Sequence, residues 1–232
     1  MTFATGLIDA VSYLAIGSVF TANMTGNVVL LGFGLGGVDA FPVDRALLAL
    51  VAFAAGGVAA GRLARTWHHA PFVWFRRVTA IEIVLVGLAG GLLVGLPAGI
   101  ETPDEPRRYG AIAVLGLAMG LRNATVRRLG FKDVPTTVLT STVTDLATDS
   151  RLGGGERRNQ GIRLAAILAM LAGAVIGALL IGVSALAALG AAEVILLAVA
   201  AHQAYVARTV PGQRPPSPVP PDTSDPGVAG PD

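Results

Sequence analysis

Apolar residues fall into long runs along this chain, separated by short stretches of charge, glycine or proline. The runs cover residues 2–19, 45–64, 78–100, 109–126, 162–183 and 185–205. Crossing a bilayer core of ~30 Å takes ~20 predominantly apolar residues, so most of these segments are the right length for a membrane helix. The run at 2–19 is short for a span and carries Asp9, Ser12 and Tyr13. Two further segments fit no simple span. Residues 28–37 are short and glycine-rich, and residues 136–149 hold six threonines and two aspartates. Each reads as a short broken or re-entrant helix.

Ahead of or within each short segment lies a polar run, Phe20-Thr-Ala-Asn-Met-Thr-Gly-Asn27 and Pro135-Thr-Thr-Val-Leu-Thr-Ser-Thr142. Water is absent from a bilayer core, so such a run must be wrapped in protein or line a wet cavity. The two runs align, Thr21 with Thr136 and Thr25 with Thr140. Three further pairs follow in the same order. Gly6-Leu-Ile-Asp-Ala10 matches Gly120-Leu-Arg-Asn-Ala124, Gly57 and Gly61 match Gly173 and Gly177, and Ala80-Ile-Glu-Ile-Val-Leu85 matches Ala191-Ala-Glu-Val-Ile-Leu196. The chain therefore reads as two membrane repeats, 1–100 and 109–206, followed by a Pro-rich tail at 207–232 expected to be disordered. The two GxxxG pairs predict close helix contacts, 45–64 against 162–183.

Charge sets the expected orientation. The stretch with Arg62, Arg65, Trp67, His68, His69, Trp74, Arg76 and Arg77 reads as a basic, aromatic cytoplasmic loop that anchors at anionic lipid. The loop before residue 162 is also basic, whereas 183–187 carries no charge. Residues 45–64 thus end inside and residues 162–183 start inside. This predicts an all-α polytopic membrane protein, with six transmembrane helices as two inverted three-span repeats and both termini cytoplasmic. The rival count of eight crossings puts the basic 151–163 loop outside, against the rule.

Composition agrees. The chain is 53% hydrophobic and only 14% charged, with a mean hydropathy of +0.66, far from the ~25% charge of soluble domains. No leader cleavage is expected, since the basic region of a secretory signal is missing at the start. There are no cysteines and three histidines, which removes thiol chemistry and offers no convincing metal centre. Nothing pairs a nucleophile with a base or cradles a phosphate, so no enzyme, no cofactor and no nucleic-acid partner is expected. The lipid bilayer, a small-molecule or ion substrate, and a homo-oligomer are the partners left open.

The elements Gly6-Leu-Ile-Asp-Ala-Val-Ser-Tyr-Leu14 with Val19-Phe-Thr-Ala-Asn-Met-Thr-Gly-Asn27, and Ala118-Met-Gly-Leu-Arg-Asn-Ala124 with the second threonine run, resemble the signature of the YoaK family of bacterial membrane proteins. The resemblance covers about residues 4–206. It implies six transmembrane segments in the bacterial plasma membrane, and supplies neither a reaction nor a substrate.

Function must come from polar residues in apolar surroundings. Ionisable groups in a span face the bundle interior and find partners. Asp9 aligns with Asn123, beside Arg122, so Asp9 and Arg122 are expected to approach each other near the midplane. Thr21, Asn23, Thr25, Asn27, Thr136, Thr140, Thr142 and Asp145 would ring the same region. With the short helices aiming free N–H groups inward, the set reads as a substrate site of a transporter or channel for a small polar or ionic solute. The alternative is a non-transporting scaffold or assembly protein, in which the same groups satisfy broken backbone and glue helices together. Glu82 and Glu193 are equivalent by alignment and read as proton carriers. Glu82 also admits a blander reading, a side chain reaching the interface close to Arg77. Asp145 and Asp149, four apart, read as a cation pair or as helix-end solvation.

Overall fold

A computed structural model gives the fold and describes residues 1–67, 71–96, 106–129, 139–148 and 160–209. Among these, every regular element is a helix: α1 (Thr2–Val11), a π-helical turn (Ser12–Gly17), α2 (Met24–Leu35), α3 (Val43–Trp67), α4 (Pro71–Leu93), α5 (Pro106–Arg128), α6 (Leu139–Thr148), α7 (Gln160–Ile181) and α8 (Ala185–Thr209). Four of them, α3, α5, α7 and α8, are long and apolar enough to cross a membrane. Helix α4 has 23 residues, about 35 Å at 1.5 Å per residue. The tail beyond residue 209, His68, His69 and Thr136 lie outside the described residues.

Local chemistry explains the helix boundaries. Pro71 and Pro106 each occupy the first position of a helix, where proline's missing N–H costs nothing and its fixed φ suits the turn. Ser184 caps α8, its Oγ accepting from the Ala187 N–H at 3.0 Å. That cap, with the turn at Gly182–Val183, lets α7 reverse directly into α8.

Helix α4 starts seven residues earlier than the hydropathy pattern suggests. The expected loop at 62–77 is largely helical, shared between α3 and α4. The reason is burial. Trp74 is 4% exposed and packs with Ala60, Ala64, Val78 and Leu121, so its apolar body draws the first turns of α4 into the bundle.

The main core is built from Leu7, Ile8, Val11, Ile16, Ile112, Leu115, Met119 and Leu196, with many alanines between them. Large apolar residues also point outward: Val84, Leu179, Val183 and Val194 are 65–80% exposed. An apolar outside around a core of small residues is what a lipid-facing bundle requires.

Packing links the halves crosswise. Helix α1 packs on α7, and α3 packs on α5. Both crossings depend on glycine. A Cβ at Gly6 would collide with the Met170 carbonyl, and one at Gly173 with the Phe3 carbonyl. In the other crossing, a Cβ at Gly120 would collide with the Phe53 carbonyl, and one at Gly56 with the Leu117 carbonyl. The remaining contacts follow the same exchange: α8 lies on α1, α4 lies on α5, and α4 meets α8.

This corrects the expected glycine register. The crossing residue on α3 is Gly56, whereas Gly57 meets nothing within 4 Å and Gly61 only the tip of Arg128 at 3.8 Å. Helices α3 and α7 close on α5 and α1 rather than on each other.

Candidate functional site

The site grows out of a helix that stops early. After Val11 the α1 helix widens into the π turn and ends at Ser18, whose φ of 54° is left-handed. The Ser18 N–H donates to the Tyr13 carbonyl at 3.2 Å, five residues back. Short π turns of this kind often mark functional positions. The chain then runs without regular structure to Asn23, which caps α2 by accepting from the Gly26 N–H at 3.3 Å.

The freed backbone is held by two side chains. Asp9 Oδ1 accepts from the Thr21 N–H at 3.0 Å and the Ala22 N–H at 2.8 Å, with the Thr21 hydroxyl at 3.5 Å. Asn27 imitates a strand partner for Phe20. Its Oδ1 accepts from the Phe20 N–H at 2.8 Å, and its Nδ2 donates to the Phe20 carbonyl at 2.5 Å. The Phe20 ring stacks on Tyr13 at 4.8 Å and leaves no room for a side chain at residue 26, where a Cβ would lie 2.9 Å from it. Asp9 Oδ2 is buried and has no hydrogen-bond partner.

Beside Asp9 lies a cleft of about 260 Å³, lined by Gly6, Asp9, Ala10, Tyr13, Leu14, Phe20, Asn23, Met170 and Ala174. It therefore sits between α1, the broken segment and α7.

A second polar centre lies deeper in the bundle, around Arg122 of α5. Its Nη1 stands 2.9 Å from Glu82 Oε1 of α4, with the two side chains 1% and 0% exposed. The contact is an ion pair and not an aligned hydrogen bond, since neither atom makes one. Arg122 Nη2 also donates to Thr5 Oγ1 at 2.8 Å, which ties α5 to α1. Arg122 is close enough to Asp9 for their opposite charges to attract, and Glu193 of α8 is close enough to Glu82 for their like charges to repel. Glu193 approaches α4 at Gly87, where a Cβ would lie 3.9 Å from its Oε1, while its Oε2 is buried without a hydrogen-bond partner. Arg122 thus pairs with Glu82 within range of Asp9, the Met1 ammonium also acts on Glu82, and the half-buried Glu193 adds a like charge on the α8 side. Farther along the α4–α8 seam, Gln203 Nε2 donates to the Thr79 hydroxyl at 3.3 Å.

The sequence-derived residues divide between these centres and the surface. Asp9, Thr21 and Asn27 are buried at the broken helix, while Asn23 and Thr25 of the same run are exposed. Arg122 takes Glu82 as its ion-pair partner, with Asp9 within range but held by backbone N–H groups. Glu82 is fully buried, which overturns its reading as an interface residue. Asn123 is half-buried on α5. In the second run Thr142 is buried, but Thr140 and Asp145 are exposed, and Asp145 pairs with Arg163 of α7 at 3.6 Å. Asp149 lies outside the described residues.

Two buried arginines were not legible as site residues. Arg108, 1% exposed, donates to the Ala15 carbonyl of the π turn at 2.5 Å. Arg45, 7% exposed, sits 5.6 Å from the centre of the Tyr109 ring and packs its stem where a Cβ on Gly17 would fall. Both stand at helix starts: Arg45 opens the apolar run 45–64, and Arg108 falls in the charged connector ahead of the run 109–126. The usable signal was the π turn itself, which frees a carbonyl that some buried donor must satisfy.

Comparison with known proteins agrees with the membrane architecture. Residues 1–202 match the family described as protein of unknown function DUF1275. A relative from Bacillus subtilis (strain 168), the UPF0700 transmembrane protein YoaK, is 31% identical over 147 residues, which is 62% of this chain and 61% of the relative. The match thus spans about three-fifths of the length of that curated relative. No solved structure matches.

Proposed function

The chain belongs to the DUF1275 family of YoaK-type transmembrane proteins, and from that premise we propose that it moves a small polar or ionic solute across the bacterial plasma membrane. The observation that carries this reading is the interrupted α1 helix. Asp9, Thr21 and Ala22 hold irregular backbone at the wall of a cleft, and irregular backbone at membrane depth is tolerated where it is wrapped in protein or lines a cavity. Interrupted helices with a polar residue at the break are how many transporters build a central site.

The architecture we propose is six spans in two inverted three-span repeats. The crossed glycine contacts support it. Gly6 against Met170 and Gly120 against Phe53 exchange when the halves are exchanged, as a pseudo-two-fold axis requires. The charge pattern supports an axis in the membrane plane, with both termini cytoplasmic. Helix α1 with its π turn and helix α4 complete the six. Asn23, Thr25 and Asn123 are proposed to border the pathway, with Thr140 and Asp145 of the second run closer to its surface. Glu82 and Glu193 are proposed to couple proton movement to the solute, because the two acids lie within electrostatic range of each other across the α4–α8 seam and Glu82 is fully buried.

One observation favours the scaffold reading instead. Asn27 satisfies both backbone groups of Phe20 and leaves little polar capacity for a ligand.

The test is flux in proteoliposomes over a panel of small cations, anions, amino acids, nucleobases and sugars, with Asp9→Asn alongside. The expected result is uptake of at least one class by wild type and its loss in Asp9→Asn. An inert wild type across the panel would sink the transport reading in favour of the scaffold.

A further inference from the structure

Asp9 is 94% buried by area, being 6% exposed, and only half of its carboxylate is used. Oδ1 takes the N–H groups of Thr21 and Ala22, and Oδ2 has no hydrogen-bond partner. The nearby guanidinium of Arg122 pairs with Glu82, and Asp9 makes no ion pair among the described residues. Apart from the neutral amide of Asn23 at its exposed side, the rest of the cleft is apolar and aromatic: Tyr13 and Phe20 stack along it, and Ala10, Leu14 and Met170 complete much of the wall. A volume of about 260 Å³ matches roughly eight or nine water volumes at ≈ 30 Å³ each.

An anion is the wrong occupant for a wall whose charge is a carboxylate. A neutral polar solute would leave that carboxylate with two backbone N–H groups and the field of Arg122 alone, and no direct counter-ion. A cation carrying N–H donors or methyl groups suits both halves of the wall. It can pair with the carboxylate and lie against aromatic rings, which attract cations through their π faces.

We infer that this cleft accepts a small ammonium group, with Asp9 as its counter-ion and Tyr13 and Phe20 as its aromatic wall. The inference rests on the solute-pathway reading and names the substrate class for it. The ammonium belongs either to a free amine or to the headgroup of a neighbouring lipid.

The experiment is the unfolding temperature of the purified full-length chain in detergent, with methylammonium, ethanolamine or tetramethylammonium added. Ethylene glycol and tert-butanol serve as neutral counterparts and acetate as the anion. The expected result is a rise of several degrees with the amines alone, lost in Asp9→Asn, which keeps an oxygen acceptor for Thr21 and Ala22. Tyr13→Leu touches none of those hydrogen bonds and should weaken tetramethylammonium about tenfold, which keeps the test valid if Asp9→Asn folds poorly.

Stabilisation in nanodiscs of phosphatidylethanolamine over phosphatidylglycerol, dependent on Asp9 and without any effect of free amines, would support the ammonium site and assign it to lipid. Stabilisation by the neutral solutes or by acetate, with no response to any amine or headgroup, would overturn the ammonium class and leave the pathway reading standing. No response to any probe, together with no flux in proteoliposomes, would overturn both.

Discussion

Arg122 and Glu82 form an ion pair 2.9 Å apart with almost no exposure of either side chain, and the first half of the chain has no counterpart to it. When Gly6 is set on Gly120, Arg122 falls on Ile8. Among the described residues, Glu193, the residue that aligns with Glu82, interacts with the Glu82 carboxylate and with no cation. The two halves share a packing scheme and differ in charge at its centre.

Breaking this pair from one side strands a buried charge. Arg122→Met is expected to cost on the order of 3–5 kcal/mol, read as reduced resistance to thermal or denaturant unfolding in detergent. The double variant Arg122→Met, Glu82→Gln should recover much of that loss. Equal damage in the single and double variants would show that the pair contributes through packing alone.

Glu193 should respond with the opposite sign. Its buried Oε2 has no hydrogen-bond partner, so Glu193→Gln removes a charge and breaks no pair. Unfolding is expected to shift to equal or higher temperature than wild type, while Glu82→Gln shifts it lower. A marked loss of stability in Glu193→Gln would mean that its charge is compensated in the folded protein.

The glycine register gives a test of the fold by neighbouring residues. Gly56→Leu drives a side chain into the Leu117 carbonyl, whereas Gly57→Leu enters open space. The first should cost a few kcal/mol or prevent folding, as overpacked contacts do. The second should stay within about 0.5 kcal/mol. Monodispersity and melting temperature in detergent separate the two, and the reverse order would displace the α3–α5 crossing.

Asn27 tests the clamp on the broken segment. Asn27→Ala removes both bonds to Phe20, with an expected cost of about 1–3 kcal/mol. Amide exchange at residues 20–22 should quicken more than exchange in α3. Uniform exchange in wild type and variant would show that Asn27 does not hold the loop.

Orientation can be read chemically, since the chain has no cysteine. A cysteine at Val183, which is 80% exposed in the α7–α8 turn, should react with an impermeant thiol reagent added outside cells. One at Thr209 should react only after the membrane is opened. Labelling of Thr209→Cys from outside would reverse the proposed topology.

Much of this arrangement was legible in the residues, and the exceptions have physical causes. Asp9 and the Phe20–Asn27 run stood out because lipid makes unsatisfied polar groups costly, and the structure joins them through the Thr21 and Ala22 N–H groups. Glu82 was harder. Its distance from the interface depends on where α4 begins, and aromatic and basic residues ahead of it read as loop. With the helix starting at Pro71, Glu82 lies about 16 Å along it at 1.5 Å per residue. The choice between Gly56 and Gly57 rests on helix phase, which one sequence does not encode when two glycines adjoin. For the second threonine run, composition announced a polar helix but not its partner, and Asp145 turns to Arg163.

The crossed packing also has a consequence for how the protein is made. Helix α1 packs chiefly against α7, which the ribosome produces long after it. At ~5–20 residues per second, Gly6 waits roughly ten to thirty seconds before the backbone of Met170 exists to meet it. During that interval the half-used carboxylate of Asp9 and the bare glycine face are offered to whatever surrounds the nascent chain, lipid or insertase. Helix α1 is thus made well before the surface that seals it.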